Sequence, residues 1–188
     1  VSIWAQAIDE ALISCLEVSA ARARQSVLFP YLLGYGNNRE ESPMNNTSVL
    51  VTGATGFVGE AVLLRLLLDR KFVPVAAVRG ASRFAGICKV VPLSLGDDSE
   101  LPSFEGVTAV VHCAARVHVM NETAQDALAE FRKVNVDGTA YLARKAAAEG
   151  VRRFIFISSL KVNGERTNEA APFKFDDLPA PKDSYGQS

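Results

Sequence analysis

From Ser48 onward, short apolar runs alternate with longer stretches whose apolar residues recur at helical spacing. The runs Ser48–Thr52, Val73–Val78, Lys89–Leu93, Thr108–His112 and Arg153–Ile157 predict five strands. Ala109, Val110 and Val111 form an unbroken apolar centre, as expected of a strand buried on both faces. Phe57 to Arg70 predicts a helix with Phe57, Ala61, Leu64 and Leu68 on one face. A long helical region is predicted from about Ala124 to Glu149, stopped by Gly150, with a local irregularity at Asn135 as one reading of that residue and Gly138 weakening the helix. Strands separated by helices make βαβ units, and right-handed crossovers turn these into an α/β, doubly wound parallel sheet. The ligand site of such a sheet lies at the carboxyl ends of its strands, near the switch point.

Residues 1–46 read differently, as an N-terminal extension. Ile3, Trp4, Ala7, Ile8, Ala11, Leu12 and Cys15 recur at helical spacing, which predicts an amphipathic helix to about Arg24. Asn37–Pro43 is polar and linker-like. The chain opens with Val1, and Met44 stands just before the first strand. Met44 is therefore the expected natural start, with residues 1–43 outside the native coding sequence. A peripheral helix packed on the domain is the plainer reading. A membrane-surface helix is opposed by Asp9, Glu10 and Glu17.

The first strand runs into Gly53-Ala54-Thr55-Gly56-Phe57-Val58-Gly59, three glycines at G-x-x-G-x-x-G spacing before the first helix. Gly53 permits a tight turn and close backbone approach to a ligand, and Gly56 does the same over a pyrophosphate. Gly59 lets the helix pack near the strand. The helix N-terminus then offers unpaired N–H groups and a positive dipole end to phosphate. A Rossmann-type dinucleotide domain over residues 47–188 is the expectation, with NAD or NADP as ligand.

Composition narrows the class. Of 188 residues, 48% are hydrophobic and 22% charged, with a net charge of −1, so neither nucleic acid nor a membrane surface is indicated as partner. Cys15, Cys88 and Cys113 are odd in number and form no C-x-x-C, which leaves no disulfide framework or zinc site and points to reducing cytoplasm. His112 and His118 alone are too few for a metal cluster.

Arg79 follows the second strand, with Arg83 close behind, and no acid stands between Asp69 and Asp97. An NAD site ordinarily places an acid there for the ribose 2′-hydroxyl. Arg79 could instead meet a 2′-phosphate or stack on adenine, or be a solvated surface arginine. His112 reads as a core or edge histidine rather than a catalytic one, because no partner is visible in the sequence.

Thr52–Gly59, His112–Ala115, Asn135-Val136-Asp137-Gly138-Thr139, Ser158–Gly164 and Tyr185 occur in this order. Together they resemble the extended short-chain dehydrogenase/reductase family, and within it the NAD(P)-dependent nucleotide-sugar epimerase/dehydratases. Ala115–Met120 and Lys161–Glu165 are similar to bacterial UDP-sugar 4-epimerases of surface-polysaccharide synthesis. The resemblance covers roughly residues 46–188.

It implies roles for individual residues. Ser159 matches the serine that hydrogen-bonds the reacting sugar oxygen, in preference to Ser158. Tyr185 matches the base that removes the hydroxyl proton. The cofactor set is Gly53, Thr55, Gly56, Phe57, Val58, Gly59, Arg79, Ala114, Ala115 and Asn135. The family motif is Tyr-x-x-x-Lys, whose lysine would be residue 189, past Ser188. The expectation is thus a Rossmann domain incomplete at the C-terminus, without its substrate domain, and inactive alone as an epimerase. The intact enzyme would take a UDP-sugar, and a homodimer is possible for it. Tyr141 and Lys145 also read Tyr-x-x-x-Lys, but they precede the fifth strand, where helix packing and a solvated lysine are expected. Two departures stand out. Ser94 occupies the place of the family's adenine-binding acid, which Asp97 could replace only through a shifted loop. Val162-Asn163-Gly164 stands where Val-Tyr-Gly is frequent.

Overall fold

A computed structural model describes residues 47–97, 100–117, 124–167 and 171–188. The helix and linker expected within residues 1–46 lie outside the described residues. Five strands form one parallel sheet: β1 (Thr47–Thr52), β2 (Phe72–Val78), β3 (Lys89–Pro92), β4 (Val107–His112) and β5 (Arg153–Phe156). Their order is β3-β2-β1-β4-β5, so the chain winds outward in both directions from β1. The switch point falls between β1 and β4, where Thr52 is in register with His112.

Side chains alternate across a strand, and here both faces are covered. Leu50, Val75, Ala77 and Val110 point to one side, into a cluster completed by Phe104, Leu142 and Ala146. Val49, Val51, Ala76, Val78, Ala109 and Val111 point to the other, against Leu63 and Phe84. Burying a side chain such as Leu63 or Phe104 contributes about 2–3 kcal/mol each. β5 lies at the sheet edge, and its Ile155 and Phe156 are exposed.

The first helix, α1 (Phe57–Asp69), ends with Arg70 in the left-handed region at φ 54°. Its expected apolar face is corrected. Phe57, Ala61, Leu64 and Leu68 are exposed, while Gly59 and Leu63 are buried and Val62, Leu66 and Leu67 pack partly against the sheet. Leucine fills so much of this helix that periodicity alone does not choose the face.

The long helix is corrected too. It starts at Ala127 rather than Ala124, and the irregularity considered at Asn135 is present. α2 (Ala127–Arg132) passes into a π-helical segment, Lys133–Gly138, and then α3 (Thr139–Ala148). The wide turn sits where Asn135 leaves the helical pattern to bond the chain after β4. Gly138 has its own reason to lack a side chain, since a Cβ there would lie 3.0 Å from the Leu95 side chain. α3 stops as expected: Gly150 has φ +84°, and the N–H of Val151 bonds the carbonyl of Ala146 at 2.9 Å. A short 3₁₀ turn (Leu160–Val162) and helix α4 (Ser184–Gln187) complete the described elements.

Candidate functional site

The carboxyl ends of β1 and β4 diverge at the switch point, and the glycine turn follows directly. Gly53 has φ +63°, and a Cβ on it would stand 2.9 Å from the backbone nitrogen of Ala114. The N–H of Gly56 bonds the carbonyl of Gly53 at 2.9 Å. A Cβ on Gly59 would lie 2.7 Å from the Gly53 carbonyl carbon. Only glycine fits at both ends of this turn.

Gly56 is the N-cap of α1 and supplies no side-chain cap. Thr55, Gly56, Phe57 and Val58 are exposed around that helix end, Phe57 at 96%. A glycine cradle beneath an uncapped N-terminus of a 13-residue helix fits a pyrophosphate. Gly53, Thr55, Gly56, Phe57, Val58 and Gly59 are thus gathered in one turn, with Ala114 across from Gly53 and Ala115 next along the chain.

A polar chain beneath the turn joins its two walls. The Thr52 hydroxyl oxygen accepts from the N–H groups of Cys113 and Ala114, each at 3.1 Å. The same oxygen is 2.7 Å from His112 Nδ1, and His112 Nε2 is 3.0 Å from the Thr139 hydroxyl. The rings of Phe154 and Phe156, from one face of β5, lie 5.7 and 5.9 Å from the imidazole. It is 1% exposed, and burial pushes its pKa down to about 4. His112 is therefore a core histidine, in line with its sequence reading.

Arg79 is exposed just past β2, two positions beyond the residue in register with Thr52. Arg83 is engaged: it pairs with Glu60 in the first turn of α1 and lies over the Phe84 ring at 5.7 Å. After β3 the chain turns at Gly96, φ +78°, and brings Asp97 back so that the Ser94 hydroxyl donates to its carboxylate. Ser94 and Asp97 thus share one place rather than competing for it.

Asn135 is buried and makes three bonds. Its Oδ1 accepts the Arg116 N–H at 2.7 Å, and its Nδ2 donates to the Arg116 carbonyl at 3.0 Å and to the Ser188 hydroxyl at 2.8 Å. The Ser188 hydroxyl in turn donates to the Tyr185 carbonyl at 2.8 Å. The Phe131 ring has the Arg116 guanidinium at 5.3 Å and the Tyr185 ring at 6.5 Å. Asn135 thereby ties the chain after β4 to the helix that carries Tyr185.

Ser158 is exposed and Ser159 half-buried. Ser159 caps the 3₁₀ turn, accepting from the Lys161 N–H at 3.3 Å. Lys161 Nζ meets Glu165 at 2.5 Å and Asp183 at 3.1 Å. Asp183 caps α4 by accepting the Gly186 N–H at 2.6 Å. Gly186 packs so closely on the Lys161 carbonyl that a Cβ would be 2.7 Å from that oxygen. The Ser159 turn and the Tyr185 helix are docked together by these contacts. Tyr141 and Lys145 lie elsewhere, on α3: Tyr141 is exposed, and Lys145 pairs with Glu149 at 2.7 Å.

Thr52, Thr139 and Lys161 fall within the motifs quoted from the sequence, but their bonding roles were not read there; Asp183 was missed, though an aspartate before Ser184 is a helix-capping signal. Among the described residues, no group of three or more His, Cys, Asp or Glu could hold a metal ion, and no helix is long and apolar enough to cross a membrane.

Known proteins extend this picture. Residues 49–188 match the model of the NAD dependent epimerase/dehydratase family. A UDP-glucose 4-epimerase of Vibrio cholerae is 46% identical over 143 residues, which is 75% of this chain and 43% of that protein. A short-chain dehydrogenase/reductase superfamily protein from Agrobacterium tumefaciens, solved with bound NAD, superposes with a TM-score of 0.57 at 30% identity, over 74% of this chain and 40% of its own. UDP-glucuronic acid 4-epimerase from Bacillus cereus, in complex with NAD, shares the fold with a TM-score of 0.60 at 21% identity, over 74% of this chain and 48% of its own. The chain thus spans less than half the length of each of these three proteins. With the family model matching most of the chain and a relative this similar beside it, the chain belongs to the NAD dependent epimerase/dehydratase family.

Proposed function

We propose that residues 47–188 form the cofactor-binding part of a nucleotide-sugar 4-epimerase that uses NAD or NADP and acts on a UDP-sugar. The observation that carries this reading is the cradle itself: Gly53 and Gly59 without room for side chains, beneath a helix N-terminus without a cap. Gly53, Gly56 and the first N–H groups of α1 would hold the pyrophosphate, with Ala114 and Ala115 along the opposite wall. A nicotinamide dinucleotide, when bound, supplies reversible hydride transfer.

The chain's own residues supply position and proton handling. Ser159 would donate to the reacting sugar oxygen, and Tyr185 would take its proton. A neighbouring positive charge would favour the phenolate form that such proton transfer calls for. Asn135 supports Tyr185 from below through Ser188. The relatives named above as 4-epimerases support this reaction class.

Calorimetric titration of the purified chain with NAD+ and with NADP+ tests the reading. Binding of at least one is expected; binding of neither overturns it. A 4-keto or flavonol-type reductase of the same family is the second reading, compatible with Arg79, exposed where an NAD site would carry an acid. Stoichiometric loss of NADPH in the presence of a keto-sugar would select the reductase, whereas an epimerase shows no net redox change.

A further inference from the structure

The atoms around Thr52 leave little freedom in where the protons lie. A hydroxyl has two lone pairs and one hydrogen. Both lone pairs of Thr52 are taken by the N–H groups of Cys113 and Ala114. Its hydrogen is left for the nearest acceptor, His112 Nδ1 at 2.7 Å. Nδ1 must then be unprotonated. Among the described residues no acidic side chain pairs with the imidazole, which contacts Thr52, Thr139 and the rings of Phe154 and Phe156. A neutral ring with a bare Nδ1 carries its proton on Nε2, which donates to the Thr139 hydroxyl.

The elements joined this way are those that form the crevice. Thr52 ends β1 and precedes Gly53; His112 ends β4 and precedes Cys113 and Ala114; Thr139 begins α3. Gly53 and Ala114 touch across the switch point, with no space for a Cβ between them. The side-chain route through Thr52 sets the height of that contact. We propose that His112 is a positioning residue in the neutral Nε2–H tautomer: it orients the Thr52 hydroxyl, which holds Cys113 and Ala114 against the glycine turn and fixes the width of the crevice. That the crevice serves a dinucleotide rests on the reading above; the tautomer and the clamp do not.

The expected signature is direct. Nitrogen-15 NMR of the uniformly labelled chain, with His118 replaced by Gln to leave one histidine, should show His112 protonated at Nε2 alone near pH 7. A proton on Nδ1, or a cationic ring at that pH, overturns the proposal. Amide hydrogen exchange then reads the clamp. Thr52→Val should speed exchange at Cys113 and Ala114 by about tenfold, the scale of one lost hydrogen bond, while Thr52→Ser keeps the wild-type rate. Equal rates in Val and Ser variants overturn the clamp.

If Thr52→Val does not fold, Thr139→Val carries the test. It removes the acceptor of Nε2–H but leaves the Thr52 hydroxyl in place, so His112 should keep the Nε2–H tautomer; a shift to Nδ1–H overturns the proposed lock. Dinucleotide affinity is read in parallel. A wild-type chain that binds neither NAD+ nor NADP+ overturns the proposed cofactor role alone, because tautomer and exchange are measured without ligand.

Discussion

The α-carbon of Gly59 faces the carbonyl of Gly53 so closely that a Cβ would come within 2.7 Å of its carbon and closer still to its oxygen. The first turn of α1 can therefore approach the end of β1 only because residue 59 has no side chain. Gly59→Ala should lower stability by about 1–3 kcal/mol, as overpacking at a rigid site does, offset by up to about 1 kcal/mol of helix propensity. It should also weaken dinucleotide binding, because the helix end must move off the turn. Urea unfolding and calorimetric titration check both effects.

Stability should fall with acid because of His112. Its folded-state pKa is held down at about 4, below the ordinary value of 6.5. Between those values the unfolded chain binds more protons, so stability rises with pH across the window and levels above it. The loss from pH 7 to pH 4 amounts to about 3 kcal/mol. Urea midpoints of the wild type against His112→Gln isolate this contribution. The variant should start less stable at pH 7 and lose less on acidification.

Lys161 should hold the Tyr185 helix in place. Its ammonium bridges Glu165 and Asp183, and Asp183 caps that helix. Lys161→Met should raise amide exchange at Gly186, Gln187 and Ser188, and Lys161→Arg should restore protection. Partly exposed ion pairs are weak, so global melting should change little.

Arg79 should discriminate between the two dinucleotides. Arg83 is committed to Glu60, and Arg79 is exposed past the end of β2, two positions beyond the residue in register with Thr52. Arg79→Ala should weaken NADP+ by about tenfold, the scale of a charge-assisted bond to phosphate, and leave NAD+ within about twofold. Equal losses for both would assign Arg79 to stacking on adenine instead.

The strands were legible because each is a compact apolar run rich in β-branched or aromatic residues; their observed ends differ from expectation by a residue. The glycine turn was legible because its three residues sit at fixed spacing between a strand and a helix. The inward face of α1 was not, since Leu63, Leu64, Leu66, Leu67 and Leu68 make it apolar nearly all round. The pairing of Ser94 with Asp97 depends on the positive φ of Gly96, which local spacing does not disclose. Thr52, His112 and Thr139 lie on three elements far apart in the chain. Only strand register and helix placement bring them together, so no short window could show their relation.

The wide turn at Lys133–Gly138 acts as a phase shifter. A regular helix would carry a single stripe from Phe131 to Leu142. The looser winding rotates one half against the other, so that Phe131 meets Arg116 and Tyr185 while Leu142 and Ala146 enter the core beneath the sheet. Removing one residue there would restore a uniform pitch and put the halves out of step. Either the aromatic pair or the core contacts would then be lost. The segment is a place where chain length, more than side-chain identity, is under constraint.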